Sequence, residues 1–235
     1  MINDEIFITR LSAWAPGIKS PDEWNEWAQG RRHISSEMKG PGIDFTDPML
    51  RRRLSQISKM TIQVIHDLLP LKENTKIYFI SFRGEITRQF QINKMLIEEN
   101  ELTPTPFSLS VFNTPVAMAS IALGLRGGYT ALYPAGNNPF ATGLAAAEAA
   151  LLCGTVQEIA FVYADEQMPA VYEAISRHVN DTGSHPPAAF GLLLSREPRP
   201  FSVSLSVFKE EEGTQSSPLN FLKKLLLHGD IHIAA

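Results

Sequence analysis

The chain has 235 residues, 44% apolar and 20% charged, with a net charge of −4 when histidine is neutral. That length supports a sizeable core in one large domain or two small ones, and the balance excludes a disordered chain. Mild acidity gives no global attraction for nucleic acid or anionic membranes. The start, Met1 to Glu5, lacks the basic residues and apolar run of a signal peptide. The longest apolar stretch, Phe140 to Cys153, contains Glu148 and falls short of the roughly 18–20 residues that span a bilayer. The single cysteine, Cys153, excludes an intrachain disulfide framework and a cysteine zinc cluster. A cytoplasmic chain is expected, with no cofactor and no metal.

In chain order, Ile6 to Leu11 reads as a first strand and Pro21 to Ala28 as a short helix opened by Ser20. Arg31 to Thr46 reads as a long irregular loop. Asp47-Pro48 is a helix start, with Asp as cap and Pro in the first turn. Leu50, Leu54, Ile57, Val64, Ile65, Leu68 and Leu69 follow at helical spacing, and Pro70 stops the run. A strand is expected over Lys76 to Ser81 and a helix over Ile86 to Glu99. Asn113-Thr114-Pro115 opens another helix, which ends at Gly124. Tyr129 to Pro134 is strand-like. The turn Gly136-Asn137-Asn138-Pro139 leads into an alanine-rich helix reaching about Leu152, with Gly154 at its end. Glu158 to Ala164 is a buried strand, and Pro169 to Val179 a helix. Ala188 to Ser195 and Ser202 to Phe208 read as two final strands, then a polar linker and a helix over Pro218 to Leu227. The alternation predicts an α/β fold, one mixed β-sheet flanked by α-helices, closed by a hairpin of the last two strands. Residues 1–208 are expected to form the domain, with 209–235 as linker and terminal helix.

Asn113 to Glu166 is the informative stretch: Asn113, a small-residue helix, Gly-Leu-Arg-Gly at 124–127, a strand, a sharp turn, an alanine-rich helix, Gly154 and a buried strand. This order resembles the nucleophile region of β-ketoacyl synthases of the thiolase superfamily, where a cysteine sits at the turn into the buried helix. Such a turn presents the side chain, and the helix N-terminus favours the thiolate. Backbone N–H groups there can hold an oxyanion. Counting forward from Gly-Leu-Arg-Gly puts the family's cysteine at Gly136, and counting back from Gly154 puts it at Asn137. Neither carries a thiol. The family's two catalytic histidine motifs have no counterpart around His33, His66, His178, His185, His228 or His232. The chain also ends where the N-terminal half of such a synthase would be complete. It is similar to chain-length factors, cysteine-lacking homologues that pair with a true synthase, and among them to the half-length type of aryl polyene pathways. The resemblance implies a thiolase-like half domain and a heterodimer with a catalytic β-ketoacyl synthase. It also implies an acyl chain borne by an acyl carrier protein, with no nucleic acid and no membrane span.

The same resemblance implies site residues. Gly136 and Asn137 are a vestigial nucleophile elbow, although Gly-Asn-Asn-Pro is also plain turn chemistry. Ile86, Thr87, Phe90 and Met118 are tunnel or chain-length candidates, against a reading as ordinary core. A steric stop of this kind works because overpacking by a few methylenes costs roughly 1–3 kcal/mol. Tyr129, Ala131 and Tyr133 are dimer-interface candidates, against an interior strand. An edge left unpaired is a liability, and Pro134 argues for an edge or a strand end.

Other patterns carry less. Arg51, Arg52, Arg53 and Lys59 read as a basic cluster on one helix, either a solvated face or a partner contact. Cys153 lies at the end of its helix, where a nucleophile gains nothing, and reads as a buried structural residue. Asp165 and Glu166 could mimic an acid/base pair but read as a solvated loop. Gly124-Leu-Arg-Gly-Gly is followed by a strand, so it is not a dinucleotide fingerprint. His228 and His232 have ligand spacing, yet Gly229 interrupts the helix between them. Two further readings stay open: a stand-alone acyl-transfer or thioesterase-like enzyme, and a homodimeric acyl-binding scaffold.

Overall fold

The computed structural model describes residues 5–133, 138–172, 186–208, 217–229, 231 and 233. Its elements in chain order are β1 (Phe7–Trp14), α1 (Pro21–Ala28), α2 (Pro48–Arg51), α3 (Gln56–Asp67), β2 (Lys76–Ile80), α4 (Ile86–Glu98), α5 (Pro104–Ser108) and α6 (Thr114–Ala122). Then come β3 (Tyr129–Leu132), α7 (Pro139–Leu152), β4 (Glu158–Asp165), β5 (Ala188–Ser195), β6 (Val203–Ser204), a 3₁₀ turn (Leu205–Phe208) and α8 (Pro218–His228).

The six strands form one mixed sheet in the order β3-β2-β4-β5-β1-β6. Strands β3, β2 and β4 run parallel, and β5, β1 and β6 follow as antiparallel neighbours. Strands β4 and β5 are buried along their whole length. Continuous apolar runs are required there because both faces of the sheet are covered. Alternation splits β4 cleanly. Ile159, Phe161 and Tyr163 join a core with α1, α7 and α8, while Ala160, Val162 and Ala164 join a second core with α3 and α6. Phe140 anchors α7 in the first core, with its ring 5.8 Å from Phe161, 6.0 Å from Phe190 and 5.2 Å from Phe221.

Several sequence expectations are corrected. The run from Asp47 to Leu69 is two helices. Asp47 Oδ1 accepts from the N–H groups of Met49 and Leu50, both at 2.9 Å, to start α2. Ser55 Oγ accepts from Ser58 N at 3.2 Å to start α3. A second capping serine inside the apolar repeat restarts the helix, and a local side-chain bond of this kind outweighs periodicity. The basic cluster is therefore spread over α2, the break and α3. The last two strands do not form a hairpin. Strand β1 lies between β5 and β6, pairing Phe7 with both Ser195 and Ser204. The fully buried β5 needs a partner on each side, and β1 supplies the second. Beyond Ser204 the chain curls into the 3₁₀ turn, which buries Leu205 and Phe208 against the core. The first strand extends to Trp14, and α5 had no sequence signal. The helix expected over Pro169 to Val179 lies outside the described residues beyond Tyr172.

Because Phe140 is nearly fully buried among aromatic rings, Phe140→Ala should lower the unfolding free energy by about 3–5 kcal/mol. Urea titration followed by tryptophan fluorescence measures this.

Candidate functional site

In an α/β sheet, functional clefts form beyond the carboxyl ends of parallel strands. Here those ends belong to β2, β3 and β4. The Gly-Leu-Arg-Gly turn sets β3 in place. A Cβ at Gly127 would overlap the Thr75 carbonyl, so only glycine lets this turn close against the start of β2. The Asn113 side-chain amide donates to the Tyr129 hydroxyl at 3.0 Å, tying α6 to β3. Tyr129 and Ala131 turn toward the α3–α6 core. On the other side of β3 the described residues supply no strand, so it is an edge. Tyr133, just past its end, is 70% exposed and meets Phe112 edge-on with ring centres 5.8 Å apart. Ile121 on α6 and Val111 are also exposed.

The chain then enters α7. Gly136 and Asn137, the two alternative positions expected for the family's nucleophile, lie outside the described residues. The helix itself is capped by Asn138, whose side-chain oxygen accepts from Ala141 N at 3.4 Å. One stripe of α7 is buried, Phe140, Gly143, Ala147 and Leu151, while Thr142, Ala145 and Ala149 are exposed. Cys153 is exposed at the opposite end, a correction to its expected burial. It follows Leu151 by two positions, about 200° around the helix from the buried stripe. The fourteen residues of α7 separate it from Asn138, a rise of about 22 Å at 1.5 Å per residue.

At the end of β4 stand two acidic residues, and both are buried rather than solvated: Asp165 and Glu166 are each 2% exposed. Asp165 organises the turn after β2. It accepts from Ser81 Oγ at 2.6 Å, Phe82 N at 3.2 Å and Arg83 N at 3.1 Å. Ser81 Oγ in turn accepts from Gly84 N at 2.8 Å. Burial raises the Asp165 carboxyl above its ordinary range, against the Ser81 hydroxyl, the Arg83 charge, the Phe82 N–H and the Tyr163 hydroxyl. Burial, then the Asp165 charge, raises the Tyr163 phenol well above its usual value.

Glu166 reaches the first turns of α3 and α4. Its carboxylate accepts from Thr87 N at 2.9 Å and from the Ile57 N–H. Glu85, the residue before α4, is fully buried nearby. Its Oε1 accepts from Ser55 Oγ and Ser58 Oγ, both at 2.7 Å, and its Oε2 pairs with Arg88 Nε at 3.2 Å. Burial and the Glu85 charge push Glu166 up to about 7.

The four tunnel candidates have different surroundings. Thr87 and Glu166 line one cavity of about 330 Å³. Ile86 opens α4, and Phe90 meets Tyr172 edge-on at 5.4 Å. Met118 sits on α6 against the α3-side core. Of the basic cluster, Arg51 is taken by Asp44 at 2.6 Å, while Arg52 and Arg53 border the same cavity as Thr87. Sequence reasoning missed the Glu85–Glu166 pair. The one available signal was a fully apolar strand ending in two carboxylates. His228 ends α8 at Gly229, in the left-handed region with φ 82°, and His232 lies outside the described residues. Among the described residues, no group of three or more acidic, His or Cys side chains could hold a metal ion, and no helix is long and apolar enough to cross a membrane.

A mixed sheet with helices on both faces, and a capped alanine-rich helix springing from the edge strand, define a thiolase-like half domain. The pattern of the β-ketoacyl synthase N-terminal domain matches residues 24–227, and the chain belongs to that family. Among solved structures, it is similar to a chain of the complex of the ketosynthase ApeO with its chain length factor ApeC from Xenorhabdus doucetiae. The identity is 26% and the TM-score 0.67, over 82% of this chain and 79% of that one, which makes the two nearly equal in length. The ishigamide ketosynthase/chain length factor matches at 13% identity and a TM-score of 0.63, over 83% of this chain and 64% of that one. The AntDE–AntF complex, a type II polyketide synthase acyl-carrier protein with its ketosynthase bound to the hexaketide, matches at 13% identity and a TM-score of 0.60, again over 83% and 64%. These two likenesses establish fold, and this chain spans slightly under two thirds of either. A search among curated proteins finds no match.

The raised Glu166 has a sign that can be checked. Below its ordinary value of 4.5 both folded and unfolded chains hold the proton. Between 4.5 and about 7 the unfolded chain releases it first. Stability should therefore fall as pH rises through this window, by about 3 kcal/mol from Glu166. Glu166→Gln should remove that part and leave the slope owed to Asp165, as read by urea denaturation at pH 5, 6, 7 and 8. Ser81→Ala withdraws a donor from a buried carboxylate and should cost about 1–3 kcal/mol. Because the lost bond favours the ionised form, the deficit should be larger at pH 8 than at pH 5.

Proposed function

We propose that this chain is a non-catalytic chain-length factor. It pairs with a β-ketoacyl-acyl-carrier-protein synthase and shapes the tunnel in which the acyl chain grows, in type II polyketide synthesis of the aryl polyene kind. One observation carries the reading. The sequence ahead of α7 has Gly136 and Asn137 where the resemblance puts the family's thiol, and the chain's one cysteine sits at the far end of that helix. A thioester cannot form on Gly136 or Asn137, so the condensation chemistry belongs to a partner. Family membership and the likeness to the ApeO–ApeC complex support this.

The surface supports a partner as well. Strand β3 is short, parallel to β2 and unpaired on its outer side among the described residues. Pairing across that edge would extend the sheet into a second subunit and satisfy its backbone groups. Tyr133, just past the end of β3, and its ring neighbour Phe112 supply aromatic contacts of the kind that dominate binding at such interfaces. On this reading Tyr129, Ala131 and Tyr133 lie at the seam. Ile86, Thr87 and Phe90 on α4, with Met118, border the tunnel floor. The pair works in the cytoplasm on acyl chains held by an acyl carrier protein.

Co-expression with a full-length synthase that retains its cysteine and histidines tests the proposal. A stable complex should purify, and malonyl consumption should require the partner's cysteine. An acyl adduct on this chain alone, detected by intact mass spectrometry, would refute the reading in favour of an acyl-transfer enzyme. A stable homodimer indifferent to the synthase would favour the scaffold. Tyr133→Asp should weaken the complex at least tenfold by light scattering or titration calorimetry, with circular dichroism unchanged. Phe90→Ala should lengthen the products of the complex, as read by mass spectrometry of the released chains.

A further inference from the structure

Two buried carboxylates, Glu85 and Glu166, stand close enough to interact electrostatically at the start of α4, and Glu166 lines a cavity open to solvent. Their partners differ. Glu85 has a guanidinium, Arg88 Nε at 3.2 Å, and two hydroxyl donors, so its charge is matched. Glu166 has backbone N–H groups at the first turns of α3 and α4, together with the Thr87 hydroxyl. Other charged groups near it are Arg52 and Arg53 at the cavity rim, its neighbour Asp165, and Arg83 beside Asp165. Two carboxylates this deep cannot both ionise without cost.

We propose that Glu166 is a proton-dependent latch: protonated, it holds the first turn of α4 against α3 and β4, and ionised, it drives that turn to open into the cavity. The geometry permits this because Glu166 already lines the cavity, so a small outward movement brings its carboxylate to water. The closed arrangement is pushed up to about 7, whereas a solvated carboxylate sits near 4.5. Linkage then makes opening easier as pH rises, on the order of 300-fold between those limits and flat above them. The helix N-termini work the other way, since they favour the ionised carboxylate. Burial and the Glu85 charge outweigh them. The latch therefore operates near neutral pH and sets how firmly α4 is seated. This holds whether or not α4 borders an acyl tunnel.

Amide hydrogen exchange of the full chain between pH 4.5 and 8.5, corrected for intrinsic rates, tests it, together with a ¹³C-carboxyl titration of Glu166. Protection at Ile57 and Thr87 should fall as pH rises and level off above 7. Glu166→Gln should abolish that dependence, and Glu85→Gln should move the midpoint to lower pH. Protection that rises with pH would overturn the proposal by making helix capping the dominant effect. A flat profile, or a Glu166 that titrates near 4.5, would also overturn it. The wild-type titration decides the matter even if a variant fails to fold.

Discussion

Burial of two carboxylates at the end of β4 is the constraint on which the site depends. Asp165 draws the turn after β2 inward through Ser81, Phe82 and Arg83. Glu166, one residue on, gathers the starts of α3 and α4. Without these contacts, the N–H groups in the turn and at both helix starts would be buried without acceptors, each costing about as much as a lost hydrogen bond. Burying acids is expensive, and their raised proton affinities record the cost. The structure gains a fixed cleft floor at the ends of its parallel strands.

Helix α7 shows how packing alone holds an element of this fold in place. Its sequence is apolar nearly all round, the pattern of a helix covered on every side. Phe140 ties one stripe to the first core, and Gly143 allows close approach to Ile80. Asn138 caps it as any helix needs. Nothing in this support requires a thiol ahead of the helix, because packing and reactivity rest on different atoms.

Much of the fold was legible in the sequence because local chemistry marks it. Pro and Asn at the head of α7, Gly154 past its end, and the unbroken apolar runs of β4 and β5 mark elements that hold to within a residue or two. Edge status for β3 was legible too, since Pro134 argues for an edge or a strand end. Where reading failed, a non-local contact decided. Ser55 looked like one polar position in a long amphipathic run, yet it caps a new helix and reaches Glu85 across 30 residues. Asp165 and Glu166 looked solvated because acidic residues after a strand usually are, and their donors come from segments some 80 residues away. Cys153 looked buried by its apolar neighbours, although two residues of helical rotation carry it outward.

By itself the sequence determined most of the element types, the family's order of elements and the presence of one cysteine alone, Cys153. Each of these depends on residue identity and short spacing alone. Only the tertiary structure decided that β1 separates β5 from β6, that Glu85 and Glu166 share one buried site, and that Tyr133 stands exposed beside Phe112. Strand neighbours and charge pairs are set by which distant segments can be buried together. That is a property of the whole packed chain, and no local pattern encodes it.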